Sequence, residues 1–428
     1  MPAPYRSAAA GLIAAAALAL TLAACSEHEP QPTSQAEPKQ SLIRFVAAEY
    51  STETKANLEK LVHEFELKNP DIIVELQVAN WNVLDGIYTA MISRNQPPDL
   101  LNTNVYAHFA KAGILNDFSE IASPELLAKF YPNLSGMDSI EGKQYAIPYV
   151  ASIRSLYYNK KLFETAGIAK PPATWSELEA SARKIAASGR ARGFGVDLTD
   201  DEVQAYLSYF FYGSGGEWIK DGKWNINSPA NVEALSYLKR LFDEGLTDEE
   251  PTVTTRDEKQ RIMGDGKLGM MISGNYFSSV VPREFPGFEW GKGPIPVRDG
   301  QQPISFGVQD VLVSFKTAHT DPVAIGKFLD FLYDDANYED MVKREGFIPV
   351  TEPVGRSLSA ADPQMTGAIA ALSTAKFYPV QEPAWQAVLD KTRKMGDAVL
   401  YDHLSPKAAL DQLQAFAVTR SEAYASEP

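Results

Sequence analysis

The fold class is set by the segment Leu42–Gly113, which reads LIRFVAAEY STETKANLEK LVHEFELKNP DIIVELQVAN WNVLDGIYTA MISRNQPPDL LNTNVYAHFA KAG. Short apolar runs in this segment alternate with stretches whose apolar residues recur at helical spacing. The first helical stretch has Thr52 or Thr54 available as its N-cap. We predict strands at Leu42–Ala47, Ile72–Val78 and Leu100–Thr103, with helices between them and at Val105–Ala112. This alternation indicates an α/β domain with a mainly parallel sheet.

The second half of the chain repeats the pattern with new helix starts. Thr174 and Glu177 have the spacing of a capping box, and Ser228-Pro229 and Asp321-Pro322 each predict a helix N-terminus. A glycine motif, Gly264-Asp265-Gly266-Lys267-Leu268-Gly269, has the G-x-G-x-x-G spacing of a dinucleotide site. Such a site needs a strand before the glycines and a helix after them. The order here is reversed, so the motif predicts a turn from a helix into a strand.

The N-terminus has the features of an export signal. Arg6 precedes the apolar run Ala8–Leu22, which is short for a membrane span. Leu22-Ala23-Ala24-Cys25 resembles a bacterial lipobox, which implies a signal peptide over residues 1–24 and lipidation of Cys25. The alternative is an ordinary secretory signal with a chance cysteine. The Pro-, Gln- and Ser-rich residues 25–40 predict a flexible tether, so we expect a protein lipid-anchored in the periplasm or at the extracytoplasmic face.

Composition limits the functions open to this chain. It has 428 residues, 45% of them hydrophobic, which is enough for two domains. Its formal net charge of −15 argues against binding nucleic acid or anionic lipid. No histidine pair has zinc-hydrolase spacing, and no nucleophile elbow or Walker A loop is present. We therefore expect no catalytic residues, no metal and no cofactor.

Several motifs occur together in one order along the chain. They are PPDLL (Pro97–Leu101), AKAGILND (Ala110–Asp117), GKQYAIPYVASIRSLYYNK (Gly142–Lys160), PP.TW (Pro171–Trp175), GGEW (Gly215–Trp218), GKLGMMISG (Gly266–Gly274), GPIP (Gly293–Pro296) and GFIPV (Gly346–Val350). Over about Ser41–Ala415 this series resembles the maltose-binding-like family of extracellular solute-binding proteins. The resemblance implies two α/β lobes of a periplasmic-binding-protein fold, with a ligand cleft between them. It implies an N-lobe of 41–150 and 311–344 and a C-lobe of 151–310 and 345–428.

The same resemblance implies a function. Members of the family are components of bacterial ABC importers, so we expect a monomer that captures a sugar and delivers it to the permease's transmembrane subunits. Ser152 lies where maltose-type relatives have a carboxylate, which puts maltodextrin in doubt. Arg154 nearby leaves open glycerol phosphate or another small anionic polyol derivative. A secreted glycoside-acting enzyme is a further alternative; it would require two carboxylates about 5 to 9 Å apart in a cleft, and no sequence feature points to such a pair.

Candidate ligand-binding residues follow the predicted strands or lie at the predicted lobe crossings. Sugars present apolar C–H faces and hydroxyl rims, so a sugar site needs aromatic rings and hydrogen-bonding side chains. The candidates are Glu49, Tyr50, Trp81, Asn82, Asn102, Asn104, Ser152, Arg154, Gly216, Glu217, Trp218, Asn275, Tyr276, Gln309, Asp310 and Trp385. The resemblance implies that Trp81, Tyr276 and Trp385 stack on sugar rings. Each could instead be an ordinary core aromatic.

Overall fold

A computed structural model describes residues Gln40–Ser426. The predicted signal peptide, Cys25 and all but the last residue of the predicted tether lie outside the described residues. The strands are β1 Ser41–Glu49, β2 Ile72–Asn80, β3 Leu100–Thr103, β4 Ser139–Ile140, β5 Lys143–Gln144, β6 Ala146–Asn159, β7 Arg192–Gly195, β8 Ile219–Lys220, β9 Lys223–Trp224, β10 Leu268–Gly274, β11 Trp290–Gly293 and β12 Gly307–Ser314.

The helices connect and cover these strands. They are α1 Thr54–Lys68, α2 Trp81–Ser93, α3 Ala107–Lys111, α4 Pro124–Leu127, α5 Pro132–Ser135, α6 Lys160–Thr165, α7 Trp175–Ala186, α8 Val203–Gly213, α9 Pro229–Asp243, α10 Arg256–Gly264, α11 Phe277–Glu284, α12 Pro322–Leu332, α13 Asp335–Glu345, α14 Glu352–Ala361, α15 Pro363–Ser373, α16 Trp385–Thr392, α17 Met395–Leu400 and α18 Pro406–Ser426. The predicted α/β alternation of Leu42–Gly113 is confirmed. Within Gln40–Ser426, no helix is both long and apolar enough to cross a membrane.

One long strand, β6, belongs to both halves of the molecule. The strands run in the order β2-β1-β3-β12-β6-β10-β7, and β11 also pairs with β6. The first half of β6 pairs antiparallel with β12, whereas its second half pairs antiparallel with β10 and β11. In the N-lobe, β1 pairs in parallel with β2 and β3, as predicted. The two lobes are therefore joined by continuous hydrogen-bonded backbone.

Each lobe buries apolar side chains on both faces of its part of the sheet. Along β1, Phe45 and Ala47 enter one N-lobe core, while Val46 and Ala48 enter the core on the opposite face. This is the two-residue alternation of a strand that is covered on both sides. The C-lobe likewise has a large core and a smaller one across its strands.

The lobe boundary near the C-terminus differs from the predicted one. The family resemblance implies that residues 345–428 belong to the C-lobe. Val354 and Leu358 of α14 and Leu372 after them instead join the N-lobe core that contains Phe45. They do so because the apolar face of α14 packs on that lobe. The chain returns to the C-lobe near Lys376, which pairs with Phe306.

The helix starts follow the sequence signals at most positions. The side chains of Thr174, Ser228 and Asp321 accept hydrogen bonds from the first turns of α7, α9 and α12. The expected threonine cap of α1 is wrong, because Glu53 occupies the N-cap without a side-chain bond. The Thr54 hydroxyl instead accepts from the Tyr50 and Ser51 amides.

The glycine motif of the C-lobe is a turn between elements, as predicted. It begins at the end of α10 and continues into β10, so a helix precedes the glycines and a strand follows them. Gly266 has a φ of +75°, in the left-handed region that a glycine adopts without strain. The order confirms that this motif is not the strand-to-helix turn of a dinucleotide site.

Candidate ligand-binding cleft

A cavity of about 610 Å³ lies between the two lobes. Its walls come from segments that follow strands β1, β2 and β3, from the crossing strands β6 and β12, and from C-lobe residues around β7 and β10. The predicted residues that line it are Glu49, Tyr50, Trp81, Asn82, Asn104, Ser152, Arg154, Tyr276 and Asp310. The volume suits a small ligand. Strand ends thus supply most of one wall, as the sequence predicted.

Four aromatic rings form a continuous row along the cavity. Trp81 is the first residue of α2, and its ring centroid lies 6.1 Å from that of Tyr50. Tyr50 meets Phe347 edge-on at 4.8 Å, and Phe347 lies 5.7 Å from Tyr276. Trp81 packs on the N-lobe, whereas Tyr276 packs on cores of both lobes. The row therefore spans the lobe junction and offers apolar faces to a ligand.

Tyr50 is held in place by two polar partners. Its hydroxyl lies 2.9 Å from Asn102 Oδ1 and 2.9 Å from Asp310 Oδ2. Burial raises the pKa of the Asp310 carboxyl to about 7 and raises the pKa of Tyr50 well above its usual value. Asp310 therefore presents a carboxyl group that is partly protonated near neutral pH.

The crossing strand β6 contributes Ser152 and Arg154, which point to the same side because strand side chains alternate. Arg154 Nη1 donates to the Tyr276 hydroxyl at 3.2 Å. Gly274 makes this pair possible. A Cβ at Gly274 would lie 2.2 Å from Tyr276 Cε1 and 3.0 Å from Arg154 Nη1.

The C-lobe wall carries charged groups on a buried support. Arg256, at the start of α10, forms an ion pair with Glu202. Lys259, one turn further along α10, is fully buried and lies 3.4 Å from Asp248 and 3.9 Å from Asp197. An unpaired buried ammonium would be costly, so Asp197 fixes α10 against the segment that leads to Glu202, and Asp248 fixes it against the loop after α9. The arrangement positions the Arg256–Glu202 pair at the cavity.

One ion pair joins the lobes beside the cavity. Asp85 of α2 in the N-lobe accepts from Arg393 Nη2, just after α16 in the C-lobe, at 2.6 Å. Arg393 also pairs with Asp390 of its own lobe at 3.4 Å. The contact between Asp85 and Arg393 can form only while the two lobes are close together.

Several predicted site residues do not line this cavity. Asn102 is fully buried and supports Tyr50, and its Oδ1 also accepts from the Ala48 amide at 3.1 Å. Asn275 bonds the Ile153 amide and the Gly346 carbonyl, so it ties together three segments at the lobe junction. Both residues position the site from behind.

Gln309 faces away from this cavity, because it neighbours Asp310 on β12 and therefore points to the other side of the strand. Its Nε2 donates to both carboxyl oxygens of the buried Asp138, at 2.9 and 2.8 Å. Burial raises the pKa of Asp138 well above its usual value. This pair forms a polar contact inside the fold.

The GGEW segment lies in the body of the C-lobe. Trp218 is fully buried and donates to the Ser208 hydroxyl at 2.8 Å. A Cβ at Gly216 would meet Asn231 Oδ1 at 1.9 Å, so this glycine serves close packing, and Glu217 pairs with Lys376 at 3.9 Å. The expectation that Gly216, Glu217 and Trp218 face the ligand is wrong.

Trp385 is also a core residue. It is 2% exposed, packs edge-on against Trp218 at 5.1 Å and stacks on Tyr378 at 5.7 Å. Tyr378, in the same segment, is the ring that lines the cavity. The sequence located the aromatic segment correctly but not the aromatic that faces the cavity.

Sequence reasoning missed most of the C-lobe wall and also Phe347, which packs in the N-lobe core. The missed residues include Thr199, Asp200, Asp201, Glu202, Gln204, Arg256, Phe347, Tyr378 and Arg393. The run from Thr199 to Glu202 follows strand β7, so the strand-end rule used in the N-lobe would have found it. Phe347 lies in the quoted GFIPV motif. Arg256 and Arg393 had no comparable signal, because helices bring them to the cavity.

Two α/β lobes joined by a shared strand, with a cavity at the junction, define a two-lobed solute-binding protein. Residues 48–339 match the bacterial extracellular solute-binding protein family. A Brucella abortus (strain 2308) relative, named only as a binding protein, is 32% identical over 373 residues, or 86% of this chain and 90% of that protein. The chain therefore belongs to the bacterial extracellular solute-binding protein family.

More distant likenesses extend this picture. The sn-glycerol-3-phosphate-binding periplasmic protein of Escherichia coli (strain K12) is 27% identical over 281 residues, covering 62% of this chain and 60% of that protein. An ABC transporter solute-binding protein from Thermotoga lettingae, bound with α-D-tagatose, has a TM-score of 0.78 at 21% identity, covering 89% of this chain and 100% of that one. Maltose-bound MalE3 of T. maritima has a TM-score of 0.78 at 23% identity, covering 89% of this chain and 99% of that one. These structures share the two-lobed fold.

Proposed function

We propose that this protein captures a sugar in the cavity between its lobes and delivers it to the transmembrane subunits of an ABC importer. The row of rings from Trp81 to Tyr276 is the observation that carries the proposal. Aromatic faces suit the C–H faces of a pyranose or furanose, and the polar side chains around them suit its hydroxyl groups. The tagatose- and maltose-bound proteins of the same fold are consistent with this substrate class.

Titration calorimetry with a panel of mono- and oligosaccharides tests the sugar proposal. The protein should first be unfolded and refolded, so that any co-purified ligand is removed. Saturable one-site binding of a saccharide would support the proposal. Absence of binding across the panel, with binding of a non-saccharide released from the native protein, would overturn it.

A second candidate ligand is a small anionic polyol derivative such as glycerol phosphate. The buried guanidinium of Arg154 at the cavity favours it, as does the partial likeness to the E. coli glycerol-phosphate-binding protein. Titration with sn-glycerol 3-phosphate and with glycerol separates the two candidates. Binding that requires the phosphate group, and fails for saccharides, would favour this second candidate.

Export and lipid anchoring at Cys25 complete the proposal. The lipobox-like residues before Cys25 support a mature chain that begins at an acylated cysteine and continues through a tether of about fifteen residues. Firm anchorage requires more than one acyl chain. Cys25→Ser should move the protein from the detergent phase to the aqueous phase in a phase-separation assay, or leave it unprocessed. An unchanged partition would contradict the anchor.

We further propose that the protein acts as a monomer and binds without turnover. The solute-binding family to which the chain belongs supports this role. Incubation with aryl glycosides and oligosaccharides, followed by product analysis, tests it. Hydrolysis that persists after repurification would instead support the glycoside-acting alternative.

A further inference from the structure

Arg154 is an unusual cation in this cavity wall. Its side chain belongs to a residue only 8% exposed, yet among the described residues no carboxylate forms a salt bridge with it. Its Nη1 is bonded to the Tyr276 hydroxyl, whereas its Nε is buried without a hydrogen-bond partner. A guanidinium stays charged at every physiological pH, and burying a charge without a counter-ion is costly. The fold therefore keeps a buried positive charge here that makes no direct salt bridge with a described residue, although the Glu202 carboxylate acts on it from a distance.

The other arginines of the cavity differ from Arg154. Arg256 pairs with Glu202, and Arg393 pairs with Asp85. Arg283 lies 3.7 Å from Glu284, and Arg261 is exposed to solvent. In the part of the chain that the structure describes, Arg154 is therefore the cavity arginine that is both buried and without a carboxylate.

Two carboxylates of the cavity wall are already bound to side chains other than Arg154. Glu202 is held by Arg256, and Asp310 accepts the Tyr50 hydroxyl. Ser152 lies two residues before Arg154 on the same face of β6, and its hydroxyl makes no hydrogen bond with a described residue. An incoming group at this point would therefore meet hydrogen-bond donors from Arg154 and Ser152.

We propose that the natural ligand carries an oxyanion, a carboxylate or a phosphate, which binds the Nε edge of Arg154, where the buried Nε has no hydrogen-bond partner. A guanidinium presents two parallel N–H groups along that edge, which match two oxygens of such an anion. Ser152 donates a further hydrogen bond. With the aromatic row beside it, the site then selects an acidic sugar or a polyol phosphate. This inference rests on the proposed solute-binding function and specifies its ligand class.

Minimal oxyanions provide the first test. Thermal melts of ligand-free protein are recorded in acetate, in inorganic phosphate and in chloride at equal ionic strength. Phosphate also stabilises proteins generally by exclusion, so the readout is the difference between variants. The wild type should gain melting temperature in acetate or phosphate beyond the gain of Arg154→Gln. Arg356→Gln, which removes an exposed positive charge on α14, should behave as the wild type.

Two pairs of matched solutes then distinguish a ligand that carries a carboxylate from one that carries a phosphate. One pair is D-glucuronate and D-glucose, and the other is sn-glycerol 3-phosphate and glycerol. The anionic member of one pair should bind at least roughly tenfold tighter than its neutral counterpart, as expected for a charge-assisted pair. Arg154→Gln should remove that preference, and Arg154→Lys should restore only part of it because lysine lacks the fork.

The outcomes distinguish this inference from the proposed function. If glucose and glucuronate bind equally, and Arg154→Gln does not change this, the result would support sugar binding and overturn the proposal that the ligand carries an oxyanion. Binding of glycerol 3-phosphate alone would overturn the proposal of a sugar ligand and support the proposal that the ligand carries an oxyanion. Mass spectrometry of the small molecule released from native protein gives an independent result. A neutral ligand in wild-type protein would overturn the inference even if Arg154→Gln failed to fold.

Discussion

Replacing Trp81 or Trp385 by alanine should have different effects, because the two tryptophans occupy different environments. Trp81→Ala should mainly lower ligand affinity, whereas Trp385→Ala should mainly lower the free energy of unfolding. Trp81 is half-buried, lines the cavity and lies with its ring tilted against that of Tyr50. Trp385 is 2% exposed and packs between Trp218 and Tyr378. The same substitution therefore removes a ligand contact at one site and core packing at the other.

The expected magnitudes follow from these environments. A stacked ring contact is worth about 1 kcal/mol beyond area burial, and the burial itself contributes roughly 1.5–3 kcal/mol. Trp81→Ala should therefore weaken ligand binding by roughly ten- to a thousandfold, with a small loss of stability. Trp385→Ala leaves a cavity in the C-lobe core and should cost about 3–5 kcal/mol of unfolding free energy. Its effect on affinity should come only through the shift of Tyr378.

Titration calorimetry and denaturant unfolding of both variants measure the two quantities. The ligand used is the one that binds the wild type most tightly in the panel above. Wild-type affinity in Trp81→Ala, together with a loss of several kcal/mol of stability, would refute the reasoning and make Trp81 a core residue. An affinity loss in Trp385→Ala at unchanged stability would show that Trp385, and not Tyr378, contacts the ligand.

Three further perturbations test the cavity and its supports. Because burial raises the Asp310 pKa from its unfolded value of 3.8 to about 7, the native state binds the extra proton between those values. The free energy of unfolding should therefore fall as pH rises from about 4 to 7, by up to about 1.4 kcal/mol per pH unit, and denaturant melts of Asp310→Asn should lose this component. Gly274→Ala would place a Cβ 2.2 Å from the Tyr276 ring and should weaken binding in calorimetry, unlike the open-site control Gly136→Ala. Arg393→Gln should lower ligand affinity, measured by calorimetry, by at most about fivefold, and by less at high salt. The double variant Asp85→Asn/Arg393→Gln should bind as weakly as Arg393→Gln alone, because both changes remove the same ion pair.

Local sequence patterns were sufficient to predict strands β1, β2 and β3 and the N-lobe wall of the cavity. Apolar spacing placed β1, β2 and β3 within two residues at each end, since periodicity is a property of neighbouring residues. The rule that ligand groups follow strand ends then found Tyr50 and Trp81 in the N-lobe. The same rule, applied after the strand at Phe194, would have reached Glu202.

Other assignments depended on packing between distant segments. Gln309 and Asp310 are neighbours in sequence, and the register of β12 decided that only Asp310 faces the cavity. Trp385 and Tyr378 are both aromatic, and the packing of α16 against the C-lobe core decided which one is buried. Composition does not distinguish such pairs, because side-chain orientation is set by contacts far away in the sequence.

The sequence by itself determined the α/β class, the motif order of a solute-binding family and the presence of aromatic and polar residues at strand ends. Tertiary structure decided the lobe that α14 joins, the pairing of Asp85 with Arg393 across the lobes, and the burial of the Arg154 Nε without a hydrogen-bond partner. The physical reason is the range of the interactions. Periodicity and capping act over a few residues, whereas burial and charge pairing depend on groups that only the folded chain brings together.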